Sequence, residues 1–264
     1  MIINLYVIII MAFTHQDTEC MALALKLSQF GRKAVGANPM VGCVISRDDK
    51  IIAQDYHRLY GEGHAEVNAL EKINYKGENT NVYITLEPCT HFGKTPPCAD
   101  ALIRAGVKKV FIAMLDPNPL VSGSGVRALQ DNGIEVEVGL LEVEANEINR
   151  GFVKRMTSGL PFVTSKIAMS LDGRTAMKNG ESKWITSKAS REDVQMLRSL
   201  NQAILTGSGT IKSDNPMMTV RTESADSNPL RVVIDSNNII TDKSLNIFSS
   251  DAETLILNNN NSEM

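Results

Sequence analysis

Two short stretches of this 264-residue chain hold side chains that could do chemistry together: "GHAEV", with His64 and Glu66, and "LEPCTHFGKTPPC", with Cys89 and Cys98. Imidazole and thiolate are the ligands a zinc ion prefers, and three protein ligands with a fourth position left for water is the arrangement of a reactive site. His64 and Glu66 would point about 200° apart on a long helix, yet in an opening turn both can reach a point near the end of the axis. Cys98 follows Pro97 at a helix start, where unpaired N–H groups and the positive end of the dipole favour ionised sulfur. Bound zinc can lower the pKa of its water from 15.7 to about 7. Glu66, not itself a ligand, can then take a proton and pass it to a departing amine. The ordinary readings are a solvated helix start for His-x-Glu and two buried thiols for the cysteines. A purely structural zinc would need a fourth protein ligand, and Cys20 and Cys43 lie in other elements.

H-x-E followed by P-C and a second cysteine is the pattern of zinc nucleobase deaminases. Here the second cysteine comes after eight intervening residues, not two, and the enlarged loop contains His91 and Lys94. Lys94 could pair with a phosphate; the alternative is a solvated loop lysine. The whole chain narrows the partner. Its 27 Lys and Arg against 30 Asp and Glu give a net charge of −3, without a basic run that could track a phosphate backbone. Aromatic residues are 5%, too few for a base-stacking platform, so a small molecule is expected and a nucleic acid is not. The apolar start "MIINLYVIIIMAF" is too short to span a bilayer and lacks the positive residues and cleavage site of a signal peptide. Either Met11 is the initiator and Met1 to Ile10 an extension, or a short buried strand opens the chain. No membrane contact is expected, and a cytoplasmic setting would keep the four cysteines as thiols.

These residues must be positioned by regular elements. A helical pattern covers Thr18 to Phe30, and "MVGCVIS" and "KIIAQDYH" read as strands around an "RDD" turn. "HAEVNALEKI" reads as a helix, "NVYITLE" as a strand, "PCADALIRAG" as a helix opened by proline and stopped by Gly106, and "KKVFIAML" as a strand. "SGVRALQDNG" and "IEVEVG" add one more helix and strand, and residues 141–158 a charged helix. The alternation predicts a three-layer α/β/α domain. In the following block, "PFVTSKIAMSLDG" reads as a strand entering a turn. "TSKASREDVQMLRSLN" carries a capped helix, "AILTGSGT" is a strand before a Gly-rich turn, and "PLRVVIDS" and "TLILN" are two more strands. The expected organisation is a first domain over residues 11–158 and a second α/β domain over 159–264 that gives way to the polar "NNNNSEM".

With "NPMVGCVI", "GEGHAEVNAL", "VYITLEPCTHFGKTPPC", "DPNPLVSGSGV", "GFVKRM", "SLDGRTA", "WITS", "RSLNQAIL" and "SDNPMMTVR" in unbroken order from about Glu19 to Ser236, the chain resembles the bifunctional riboflavin-biosynthesis deaminase/reductase family. The resemblance implies a cytidine-deaminase-like domain followed by a dihydrofolate-reductase-like domain, incomplete here by roughly a hundred residues. It implies one Zn²⁺ on His64, Cys89 and Cys98, with Glu66 as the proton carrier. Asn38, His57, His91 and Lys94 are implied to contact 2,5-diamino-6-ribosylamino-4(3H)-pyrimidinone 5′-phosphate. In the second domain it implies NADPH against Ala168, Trp184, Thr210, Asp214 and Ser236, and substrate against Ser182, Arg198, Met218 and Arg221, with Lys166 also fitting the pattern. A homo-oligomer, dimer or tetramer, is implied as well. Hydride transfer needs the nicotinamide ring held against the substrate. Deaminase activity is therefore expected and reductase activity doubtful, the alternatives being a deaminase with an inactive reductase remnant or a deaminase of nucleic-acid bases.

Overall fold

The computed structural model describes residues 13–32, 34–119, 121–221 and 228–259. The two readings of Met1 to Ile10, and most of the polar tail, lie outside them. The chain divides into two compact units, the first ending at Val163 and the second beginning at Thr164.

In the first unit, α1 (His15–Ser28) opens on a capping box. The Thr14 hydroxyl accepts from the Asp17 N–H, and the Asp17 carboxylate accepts from the Thr14 N–H at 2.9 Å. The helix starts a turn before the expected Thr18 because the apolar stripe begins later than its Thr-x-x-Asp cap. β1 (Gly42–Arg47) and β2 (Lys50–Tyr56) form an antiparallel hairpin whose turn residues Asp48 and Asp49 have φ of 47° and 57°. Asp tolerates that left-handed conformation better than most residues. The remaining elements are α2 (Ala65–Glu71), β3 (Asn81–Ile84), α3 (Cys98–Ala105), β4 (Lys109–Ile112), α4 (Ser124–Asp131) and β5 (Glu135–Val138). Gly106, at φ 69°, ends α3 in the left-handed conformation that glycine adopts without a Cβ clash.

The five strands lie in the order β2-β1-β3-β4-β5, with β3, β4 and β5 parallel. Parallel neighbours require crossovers, and α3 and α4 supply them. Strands β1 and β3 are buried along almost their whole length because both faces are covered. α1 packs on β1 to β3, whereas α2 packs on β1 and β2 and touches α3, which touches α4. The result is the three-layer arrangement. Its core includes Met21, Ile45, Leu70, Ile84, Leu102, Ile112 and Leu129, all at most 0% exposed, together with Cys20 and Cys43, also 0% exposed and therefore packing residues. Burial of each such aliphatic side chain stabilises the fold by about 1.5–3 kcal/mol.

Residues 141–158 are not one helix but two, α5 (Glu142–Ile148) and α6 (Arg150–Ser158). The break is at Asn149, 3% exposed, whose amide accepts from Met40 N–H at 2.8 Å and donates to Met40 O at 2.9 Å. This pairing holds the junction against the segment that precedes β1.

In the second unit α7 (Lys188–Ser199) is capped by Ser187, whose hydroxyl accepts from the Ser190 N–H. β6 (Ala203–Gly207), β7 (Leu230–Ile234) and β8 (Thr254–Leu257) make a parallel sheet in that order. The expected Gly-rich turn after β6 is a short helix, α8 (Ser208–Asp214). One face of the sheet packs on Ile211, Met218, Ile240 and Ile247. On the other face Leu205, Ile234, Leu255 and Leu257 are 62%, 43%, 45% and 46% exposed. Arg231 on β7 is fully buried, and its guanidinium donates to the carbonyls of Met217, Asn246, Ser249 and Ala252. The strand expected at "PFVTSKIAMSLDG" does not form: residues 161–170 are irregular, and Val163, Ile167, Met169 and Leu171 are exposed. Its alternation is that of a strand, but a strand persists only with a hydrogen-bonded neighbour.

Candidate active site

The carboxyl ends of β3 and β4, and the start of α2, meet at one cleft of about 550 Å³. Crevices outside the carboxyl ends of parallel strands are where open α/β sheets bind ligands. His64 is the residue just before α2, in extended conformation. Cys89 follows β3 by a few residues, and Cys98 is the first residue of α3. The three ligand atoms lie within 4.8 Å of one another. His64 Nδ1 is 3.1 Å from Cys98 Sγ and 3.6 Å from Cys89 Sγ. Ligand atoms around a tetrahedral zinc at ordinary bond lengths are spaced by about 3.5–3.8 Å, so one imidazole and two sulfurs at this spacing fit that ion. Among the described residues the cluster has three donors from His, Cys, Asp or Glu, and no fourth.

Glu66, 3% exposed in the first turn of α2, lies beside them. Burial raises its carboxyl to about 7, opposed by the nearby His64. Its Oε2 is buried without a hydrogen-bond partner among the described residues. A carboxylate oxygen left unpaired in a cleft floor has the placement needed to exchange a proton with whatever binds there. A hydrogen bond from Cys98 and another from His64 lower Cys89 to about 4. Its interaction with Cys89, then burial, push Cys98 well up. The backbone N–H of Cys98 also points at Cys89 Sγ, at 3.4 Å, so in the free protein the helix start favours the thiolate of Cys89 more than that of Cys98.

Asn38, His57, His91 and Lys94 all line this cleft. His57, 5% exposed, sits with Nδ1 3.2 Å from Gly63 O. A carbonyl only accepts, so Nδ1 carries the proton and Nε2 is left as an acceptor. Burial holds its pKa below the ordinary histidine value. Lys94 stands 4.2 Å over the Tyr60 ring, an exposed cation resting on a π face at the rim. The cleft also contains residues that the sequence reading missed: Tyr60, Glu87, Asp116, Asn118, Phe152 and Arg155. Asp116, following β4, is raised by burial. The motif "DPNPLVSGSGV" carries Asp116 and Asn118, but only the strand order places it beside Cys89. Arg155 on α6 donates to Ala37 O at 2.9 Å, which brings a segment more than a hundred residues distant to the wall that carries Asn38.

The residues proposed for a nucleotide and substrate in the second unit are differently placed. Trp184 is 70% exposed, with the Arg191 guanidinium 4.2 Å over its ring, and is not core. Lys166, Ser182, Thr210, Asp214, Arg221 and Ser236 are exposed and Ala168 is half-buried. Thr210 and Ser236 lie near the adjacent carboxyl ends of β6 and β7. Arg198, partly buried, donates to Thr219 O at 2.9 Å beside buried Met218. Burial, and the charge of Arg221, hold its pKa below the usual arginine value.

Comparison with known proteins gives this geometry a context. Residues 14–114 match the cytidine and deoxycytidylate deaminase zinc-binding region, and residues 161–264 match the RibD C-terminal domain. Riboflavin biosynthesis protein RibD of Escherichia coli K12 is 50% identical over 238 residues, which cover 86% of this chain and 65% of the relative. The structure of Acinetobacter baumannii RibD is 43% identical with a TM-score of 0.86, covering 92% of this chain and 69% of that one. The chain belongs to the RibD family. A Thermotoga maritima diaminohydroxyphosphoribosylaminopyrimidine deaminase/5-amino-6-(5-phosphoribosylamino)uracil reductase is similar too, 39% identical with a TM-score of 0.88 over 94% of this chain and 71% of that one. The RibD match spans a deaminase-like unit and a RibD C-terminal domain, with about two thirds of the length of the curated relatives.

Proposed function

We propose that the first unit hydrolytically deaminates 2,5-diamino-6-ribosylamino-4(3H)-pyrimidinone 5′-phosphate, with zinc held by His64, Cys89 and Cys98. The observation that carries this reading is the buried, unpaired carboxylate oxygen of Glu66 next to those three ligand atoms, on the floor of the cleft. A zinc ion bound there would supply Lewis acidity, lowering the pKa of water toward about 7. Water adds to the ring carbon that bears the amino group. Of that water's two protons one goes to the adjacent ring nitrogen and Glu66 moves the other to the amino nitrogen, so that the C–N bond breaks, a carbonyl forms and ammonia leaves. A carboxyl held at about 7 can both accept and return a proton near neutral pH.

The polar groups around Glu66 orient the substrate. Asn38, His57 and Asp116 present donors and acceptors to the ring, and His91 and Lys94 lie on the loop that would meet the phosphate. Tyr60 and Phe152 give apolar walls that restrict water. The second unit is proposed to be related to NADPH-dependent reduction of the deaminated product, through Ala168, Trp184, Thr210, Asp214 and Ser236 for the nucleotide and Ser182, Arg198, Met218 and Arg221 for the substrate. Most of these are exposed, so deamination is the activity expected of this chain. The family name and the small-molecule cleft support placement in riboflavin biosynthesis. Four free cysteines, and the absence among the described residues of a helix long and apolar enough to cross a membrane, support a cytoplasmic setting. A homo-oligomer is part of the same proposal.

The test is Glu66→Gln. The variant should retain zinc and release ammonia about 10²- to 10⁴-fold more slowly than the parent. Full ammonia release by the zinc-loaded variant would remove Glu66 from the reaction.

A further inference from the structure

Glu87 ends the apolar run of β3 and immediately precedes Pro88 and Cys89, and it is 4% exposed. A buried carboxylate needs donors, and Glu87 takes four, all from the backbone of one distant segment. Oε2 accepts from Asp116 N–H at 3.1 Å and Gly123 N–H at 2.9 Å, and Oε1 from Gly125 N–H at 2.8 Å and Val126 N–H at 3.3 Å. Two of these donors belong to the first turn of α4, where N–H groups lack intrahelical partners. The others are at the two ends of the turn that carries Asp116, Asn118 and Val121 into the cleft. Gly125 makes the approach possible: a Cβ there would collide with Pro88 O and come within 3.0 Å of Glu87 Cγ.

From this geometry we infer that Glu87 is a positioning residue for substrate recognition, fixing the Asp116–Val121 wall relative to the proposed metal ligands without touching the reacting atoms. The inference rests on the deaminase reading for its kinetic consequence only. Oε2 ties both flanks of the wall, and Oε1 the first turn of α4, to the same strand end that leads to Cys89, so wall and metal centre share a single anchor. Gln in its place keeps size but turns one oxygen into an NH₂ that faces N–H donors, which detaches half of the contacts.

Two variants test it. Glu87→Gln and Gly125→Ala act on the two sides of the same contact, the second without changing charge, so failure of either to fold leaves the other. Both should keep zinc. Both should raise KM for the diaminopyrimidine nucleotide by about tenfold or more, corresponding to about 1.4 kcal/mol of binding, with kcat within about threefold of the parent. Hydrogen exchange should quicken at Asp116, Gly123, Gly125 and Val126 and stay unchanged in α1 and β1. An unchanged KM, or loss of zinc from a folded variant, would overturn the positioning role. If the parent releases no ammonia, the deaminase reading fails by itself, and exchange at those four amides still decides whether Glu87 holds the wall: unchanged rates would overturn it.

Discussion

Lys94 is the residue at which the proposed substrate recognition is tested most simply. Its ammonium lies over Tyr60 at the rim, exposed and therefore able to exchange a π face for a phosphate with little desolvation cost. Lys94→Ala should raise KM for the nucleotide by about 10- to 100-fold while changing kcat little, consistent with about 1.5–3 kcal/mol for a hydrogen bond to a charged group. The same substitution should leave KM for the corresponding nucleoside, which lacks the phosphate, unaltered. Steady-state ammonia release with both compounds checks this, and an equal loss on both would assign Lys94 to the loop's shape instead. At this scale much was legible. The expected placement of His64, Glu66 and Cys98 at helix starts matches the fold, because helix starts are local signals, and Cys89 lies in the loop after β3. Glu87 and Asn149 were not legible, since their partners are 29 to 39 and 109 residues away. The available hint was a charged or amide side chain inside an otherwise apolar or helical run.

Elements rather than single contacts set the shape of the cleft. Asn149 stands where a continuous helical pattern was expected, and by pairing with both backbone groups of Met40 it sets the position of the segment that carries Asn38. Asn149→Ala leaves a buried N–H and C=O unsatisfied, and should lower stability by about 1–3 kcal/mol in denaturant titration, with a rise in KM. A stability change within error would mean that α5 and α6 pack there without it. Asp55, at the end of β2, is 3% exposed and joined to Arg58 and Lys72 at 2.7 and 2.9 Å. Burial by itself would raise its carboxyl, but the hydrogen bonds from Arg58, Lys72 and the Tyr56 N–H outweigh burial and hold it below the ordinary value. A depressed folded pKa contributes stability that is present above the unfolded value, near 3.9, and is lost as pH falls through the folded one. Asp17, lowered in the same direction, adds to this. Melting temperature should therefore drop on acidification below about pH 4, and Asp55→Asn should flatten that drop. Because Arg58 and Lys72 are about half exposed, water screens part of the attraction. Identical acid profiles for the variant and the parent would contradict the assignment. Periodicity located nearly every element of the first unit but could not see the capping box at Thr14, which precedes the apolar stripe, or the break at Asn149. In the second unit it assigned a strand to "PFVTSKIAMSLDG", since alternation reports what a segment could pair with and not whether a partner is there.

For the whole molecule, the two units ask different things of the same chain. The first closes its core on both faces of a five-stranded sheet and assembles the proposed ligands, proton carrier and cleft within itself. In the second, one sheet face and most of the residues proposed for NADPH are exposed. Hydride transfer requires two molecules held at reacting distance, whereas deamination requires one nucleotide and water. The two activities should therefore separate. The most direct measurement incubates the zinc-loaded protein with the diaminopyrimidine nucleotide and NADPH, following ammonia and NADPH independently in one reaction. The expected result is catalytic ammonia release, equal with and without NADPH, while NADPH stays unconsumed; a zinc-loaded protein that forms no ammonia would contradict the account.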